Sequence, residues 1–147
     1  MFTQAIKKIS CYISILFLFT QCQPVFILNE KIVDNYYIIA PDVYERAALC
    51  FQTDNDGANY VELVPATVFA VGYNKEYMII KQHPILSFMP TVDKTTTNYY
   101  ILPLLKTINP QMHNDLIGPL TFEDFNQKRD ELDIEDIQFT KVIKNLE

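Results

Sequence analysis

The stretch that decides the fold is Thr67-Val68-Phe69-Ala70-Val71-Gly72, then Tyr73-Asn74-Lys75-Glu76, then Tyr77-Met78-Ile79-Ile80-Lys81-Gln82. Both flanks are rich in β-branched and aromatic residues, and Asn74 offers turn chemistry between them, so the spacing predicts a β-hairpin. A strand with one wet face alternates apolar with polar residues. These two are apolar on both faces, so they belong in the middle of a sheet covered on two sides. Working upstream, Tyr60-Val61-Glu62-Leu63-Val64 alternates and stops at Pro65. Residues 47–53 form its partner across the turn Asp54-Asn55-Asp56-Gly57, where Asn and Gly accept positive φ at low cost. Asn35-Tyr36-Tyr37-Ile38-Ile39-Ala40, closed by Pro41, reads as an earlier strand. Downstream, Tyr99-Tyr100-Ile101-Leu102 reads as another, closed by Pro103. Residues 90–98, with Thr95-Thr96-Thr97, make a polar connection long enough to carry function.

One helix is clear. Thr121 is an N-cap, Asp124 three residues later suits a capping box, and Pro119 turns the chain into it. Phe122, Phe125, Arg129 and Leu132 recur at helical spacing. Phe122, Phe125 and Leu132 are expected to face the sheet, with Glu123, Lys128, Asp130 and Glu131 outward. Ile137–Ile143 fits either a strand or a helix. The expected class is α+β: mainly antiparallel β-sheet of five to seven strands, with one C-terminal helix packed on one face. Residues 34–147 form a single globular domain of ordinary size.

The beginning of the chain reads as an address. Lys7-Lys8 precede an 11-residue apolar run, Ile9–Phe19, followed by Thr20-Gln21-Cys22-Gln23-Pro24. A positive start, a short apolar run and a polar boundary make a secretory signal over residues 1–21. A spanning helix needs about 20 apolar residues. Leu18-Phe19-Thr20-Gln21-Cys22 resembles a bacterial lipobox, with Gln21 where a small residue is usual, and it puts lipid attachment at Cys22. Residues 22–33 then serve as lipid anchor and tether. Cys11 falls in the signal, so Cys50 is the one cysteine left inside the domain. It cannot form an internal disulfide, and its apolar setting, Ala47-Ala48-Leu49-Cys50-Phe51, marks a small buried hydrophobe.

Composition excludes several function classes. Three glycines in 147 residues leave little material for phosphate-binding loops. The formal charge is −6, and removing Lys7 and Lys8 with the signal lowers it by two, to −8. Such a domain repels phosphate backbones, so no nucleic acid partner is expected. The acidic run Glu123, Asp124, Asp130, Glu131, Asp133, Glu135, Asp136 reads as a solvated surface, because it lacks the spacing of an EF-hand loop. His83 and His113 show no metal-ligand spacing, and the one serine after the signal, Ser87, has no G-x-S-x-G context. No cofactor, metal or catalytic residue is expected. Neighbours in a strand point to opposite faces, so one of Tyr36/Tyr37 and one of Tyr99/Tyr100 should face outward or into a second layer. Outward tyrosines present area and a hydroxyl at low entropic cost, which makes Tyr36, Tyr37, Tyr99 and Tyr100 a candidate interaction surface. The echo between residues 35–39 and 98–102 does not extend to their surroundings, so it is no duplication.

The lipobox, N-Y-Y-I-I at 35–39, V-F-A-V-G-Y-N-x-x-Y-M-I-I-K-Q-H-P at 68–84, T-N-Y-Y-I-L-P-L at 97–104 and G-P-L-T-F-E-D-F at 118–125 together resemble a family of short, uncharacterised bacterial lipoproteins of the Bacteroidetes type. The likeness spans most of residues 18–132 and implies envelope location, without a reaction, substrate or cofactor. The expected function is a non-enzymatic binding or interaction module. Its partners would be the membrane, through the N-terminal lipid anchor, and an envelope protein; without lipidation the chain would be secreted or periplasmic. One alternative is an inhibitor or immunity-type protein whose charge steers it to a basic toxin or hydrolase. A second is an enzyme using His83 with a carboxylate.

Overall fold

The computed structural model describes residues 26–54, 59–86, 91–104 and 115–147. The signal expected over residues 1–21, the expected lipid-attachment residue Cys22, the tip of the 54–57 turn, Ser87 and His113 lie outside the described residues. The first sheet joins β1 (Leu28–Val33), β2 (Tyr36–Ala40), β3 (Ala48–Gln52) and β4 (Tyr60–Val64) in sequence order, all antiparallel. The second is built on β5 (Val68–Tyr73) and β6 (Tyr77–Gln82), the hairpin of the deciding stretch. To these it adds β7 (Asn98–Pro103), β8 (Ile117–Leu120) and a two-residue β9 (Lys141–Val142), in the order β8-β7-β6-β5-β9. Among the described residues the one α-helix longer than a turn, α1, spans Phe122–Glu131.

The α+β class with predominant antiparallel strands is what the sequence led us to expect. The described residues hold nine strands in two sheets rather than five to seven around one. Residues 28–33, expected to belong to the tether, form β1, with Glu30 opposite Ile38 and Lys31 opposite Tyr37. Their apolar pattern is weak because β1 is an edge strand, and Asn29 and Lys31 are exposed while only Ile32 is buried.

The two sheets share one apolar core. From the first sheet Ile32, Tyr36, Ile38, Leu49 and Phe51 point inward. From the second Val68, Val71, Met78, Ile80, Tyr100 and Leu102 meet them. The second sheet buries its other face too: Ile79 and Ile101 pack against Phe125 of α1 and against Ile134 and Ile137 of the segment that follows. The molecule is therefore three layers deep, and the two-sided apolar character of β5 and β6 is the signature of the middle layer. Gly72 is the point of closest approach, because any Cβ there would collide with the backbone of Gln138 and Phe139.

The helix starts as the sequence predicts. The Thr121 hydroxyl oxygen accepts from the Asp124 amide at 3.2 Å, and the hydroxyl donates back to the Asp124 carboxylate at 2.7 Å. Phe125 is fully buried and Leu132 packs on the same cluster. Phe122, expected to face the sheet, is 60% exposed. It is the first helical residue, and only its ring reaches the sheet, 5.6 Å from that of Tyr99. After the helix, Arg129 holds the returning chain: its guanidinium donates to the carbonyls of Ile134, Glu135 and Ile137. The polar connection is pinned as well over its described part, residues 91–98. Asp93 accepts from the Thr95 amide at 2.9 Å and from the hydroxyls of Thr95 and Thr96 at 2.5 and 2.7 Å. Ile85 and Val92 bridge its base. No described helix is long and apolar enough to cross a membrane.

Candidate functional site

Two of the three layers have both faces engaged or are helix, which leaves the outer face of the first sheet. Strand alternation places Lys31, Tyr37, Cys50 and Glu62 in one cross-strand row, through the pairs Lys31–Tyr37, Tyr37–Cys50 and Cys50–Glu62. Ile39 and Ala48 form the next row, and Tyr60 lies opposite Gln52. Tyr37 and Tyr60 meet edge to face with ring centroids 5.6 Å apart, and the Lys31 ammonium sits 5.8 Å over the Tyr37 ring. Both rings are half-buried and, with Phe26, shield Ile39, Ala48 and Cys50. Toward one end this face deepens into a groove of about 390 Å³. Ile39, Ala48 and Cys50 form its floor, Phe26 and Ile85 its walls, and Arg46 and Glu62 lie on its rim. The arrangement offers aromatic area, two cations (Lys31 and Arg46), one anion (Glu62) and an apolar slot.

The four tyrosines singled out from the sequence do not form one surface. Tyr36 and Tyr100 both point into the central core, Tyr36 with its ring 5.0 Å from Phe51. Tyr37 lies on the outer face just described. Tyr99 lies on the opposite side of the molecule, stacked 4.8 Å from Phe125 beneath α1. Alternation was right about the split within each pair, but the two pairs sit in different sheets. Tyr60, Lys31 and Phe26 were missed. The signal for Tyr60 was present in its antiparallel pairing with residues 47–53, whereas Lys31 and Phe26 fell in the segment read as tether.

Cys50 is buried on this face, and its thiol is pushed up to about 11, first by burial and then by the neighbouring Glu62 carboxylate. A thiol held protonated is a poor nucleophile. His83 is buried against Phe69, rings stacked at 4.1 Å. Its Nδ1 lies 2.7 Å from the Thr96 carbonyl, so that nitrogen carries the proton and donates; Nε2 has no partner. Neither nitrogen of His83 therefore meets a carboxylate. The seven acidic residues of the 123–136 run are all exposed on the third layer, across the molecule from the tyrosine face. No cluster of three or more His, Cys, Asp or Glu side chains is placed to hold a metal among the described residues. A larger groove of about 890 Å³ lies at the far end of the strands, lined by Val33, Asp34, the β5–β6 turn, Pro103 and Leu104.

Residues 33–143 match a family model described as "Protein of unknown function (DUF3997)". No curated protein matches the chain, and no solved structure does.

Proposed function

We propose that the chain, which belongs to the DUF3997 family, is a lipid-anchored, non-enzymatic binding module of a bacterial cell envelope, and that it binds a protein partner through the outer face of its first sheet. One observation carries the reading of the surface. The second sheet is covered on both sides, by the first sheet and by α1, while the first sheet has no covering layer among the described residues. What it presents there is tyrosine-rich and amphipathic, the composition that protein interfaces favour. The envelope placement rests on the signal-like residues 1–21 and on Cys22 in its lipobox-like context.

A photo-crosslinking residue placed at Tyr60, and in parallel at Asp136 on the acidic layer, tests the surface in cells. Discrete adducts from position 60 and none from 136 are the expected result. Adducts from 136 alone would move the site to the third layer. That outcome would favour a second reading, an inhibitor or immunity-type protein recognising a basic partner, which the seven exposed carboxylates there suit.

A further inference from the structure

We infer that one end of the sandwich is built to rest on the lipid surface, so that the strands stand away from the membrane and the tyrosine face looks sideways. The inference rests on the reading of Cys22 as the lipidated residue and says how the anchored domain is oriented. The first observation is length. The Ile27 amide is already fixed to the Ala40 carbonyl at 3.1 Å, so the folded body begins there. Five residue steps from Cys22 to Ile27 span at most about 17 Å even when fully extended. Roughly 5–8 Å of that is needed to cross the headgroup layer of one leaflet. The remainder is shorter than the body itself, so the end that carries Ile27 is held against the bilayer.

The second observation is what that end exposes. Ile27 and Ala40 lie at the same end of the first sheet as Ala48 and Val64. The Val68 amide donates to the Ala47 carbonyl at 2.7 Å, which brings the start of β5, and with it the Gln82 end of β6, to the same end. Phe26, Arg46 and Ile85 line one groove there, so these loops are neighbours in space. Among the described residues nine large hydrophobics are clearly exposed, and five of them are on these loops: Ile27, Val43, Tyr44, Ile85 and Leu86, between 38% and 50% exposed. The far end exposes two, Tyr73 and, on the row shared with Val33, Tyr36 and Phe51, Val61. Scattered surface hydrophobics need no explanation, but a concentration at one end does.

The third observation is charge. Membrane leaflets that carry anionic lipid repel carboxylates. The acidic run of 123–136 lies on the third layer. At the apolar end the charges are few and mixed: Asp42 is paired with Arg46 at 3.3 Å, and the carboxylates of Glu45 and Asp93 stand at the same end as the ammonium of Lys94. Ile85 and Leu86 are placed to enter the interface, with the Phe26–Ile85 groove at the lipid boundary, while the far-end groove and the Tyr37–Tyr60 part of the tyrosine face remain in water.

The test uses the full chain purified from bacterial membranes and reconstituted in phosphatidylethanolamine–phosphatidylglycerol vesicles. An environment-sensitive fluorophore is attached through Leu86→Cys and, separately, through Tyr73→Cys; Cys50 stays unlabelled because its thiol is buried and protonated. Mass spectrometry of the N-terminal peptide is read on the same preparation. An acylated Cys22 with a blue-shifted probe at 86 that spin-labelled acyl chains quench, and an unquenched probe at 73, is the expected result. An acylated Cys22 with both probes equally hydrated overturns this orientation and leaves the anchor reading standing. An unmodified Cys22 overturns the anchor and the orientation with it.

Discussion

Replacing Gly72 with alanine should unseat the C-terminal segment from the second sheet. Gly72 is extended and paired with Ile79 in the middle of the hairpin. With open space around it, adding a methyl would favour the strand by roughly 0.5–1 kcal/mol, because glycine loses the most backbone freedom on folding. The space is not open. An added Cβ would lie 2.7 Å from the Gln138 carbonyl carbon and 3.2 Å from the Phe139 Cα, with the Gln138 oxygen nearer still. All three are backbone atoms, so no rotamer change relieves the clash, and residues 138–142 must move off β5. That movement strains or breaks the bonds from the Thr140 amide to Val71 (3.1 Å) and from the Ile143 amide to Phe69 (2.7 Å). With overpacking at about 1–3 kcal/mol, two hydrogen bonds at about 0.5–1.5 kcal/mol each, and the methyl's gain of about 0.5–1 kcal/mol set against them, the net loss should be about 1–5 kcal/mol. Urea unfolding of the full chain reads the midpoint, and native-state hydrogen exchange reads the Thr140 and Ile143 amides against Ile79. The reasoning predicts a lower midpoint with exchange accelerated first at 140 and 143. A midpoint equal to or above that of the parent would show that the third layer is not seated as described.

Three further outcomes follow from the same contacts. Phe125→Ala, at a fully buried ring, should cost about 3–5 kcal/mol in chemical denaturation, whereas Phe122→Ala, one helical turn earlier and mostly exposed, should stay within about 0.5 kcal/mol. The Cys50 thiol, ordinarily near 9.0 and pushed up to about 11 by burial and then by Glu62, should resist iodoacetamide at pH 8 in the native protein and react readily in urea. Because its folded pKa is raised, the stability it contributes is complete below about 9 and should decline as pH rises toward about 11. Asp93 is held below the usual carboxylate range chiefly by the Thr95 hydroxyl, then by the Thr96 hydroxyl and the Thr95 amide. Its contribution is therefore present above the ordinary carboxylate pKa and lost as pH falls through the lowered folded value. Asp93→Asn should flatten the acid limb of a stability–pH curve, and an unchanged limb would contradict that.

Some elements were legible because their cause is local. The Thr121 cap, the β5–β6 hairpin and the proline stops after Ala40 and Val64 depend on residues within a few positions of one another, so sequence spacing carries them. The two-sided apolar pattern of β5 and β6 went further and implied a covered middle layer, because burial on both faces removes alternation. Residues 28–33 were illegible as a strand because an edge strand with polar Asn29, Glu30 and Lys31 has little apolar period to read. The tyrosine pairs show the limit most sharply. Alternation fixes that Tyr36 and Tyr37 diverge, and that Tyr99 and Tyr100 diverge, but not which sheet each pair joins.

By itself the sequence determined the mainly antiparallel α+β class, the helix start and the inward-or-outward parity of each strand, since all of these follow from composition and short-range period. Only the tertiary structure decided that the strands divide into two sheets, that α1 covers the second and leaves the first open, and that Lys31, Tyr37 and Tyr60 share one face. Strand pairing between distant segments is fixed by how whole apolar faces fit together, and that fit is a property of surfaces rather than of any window along the chain.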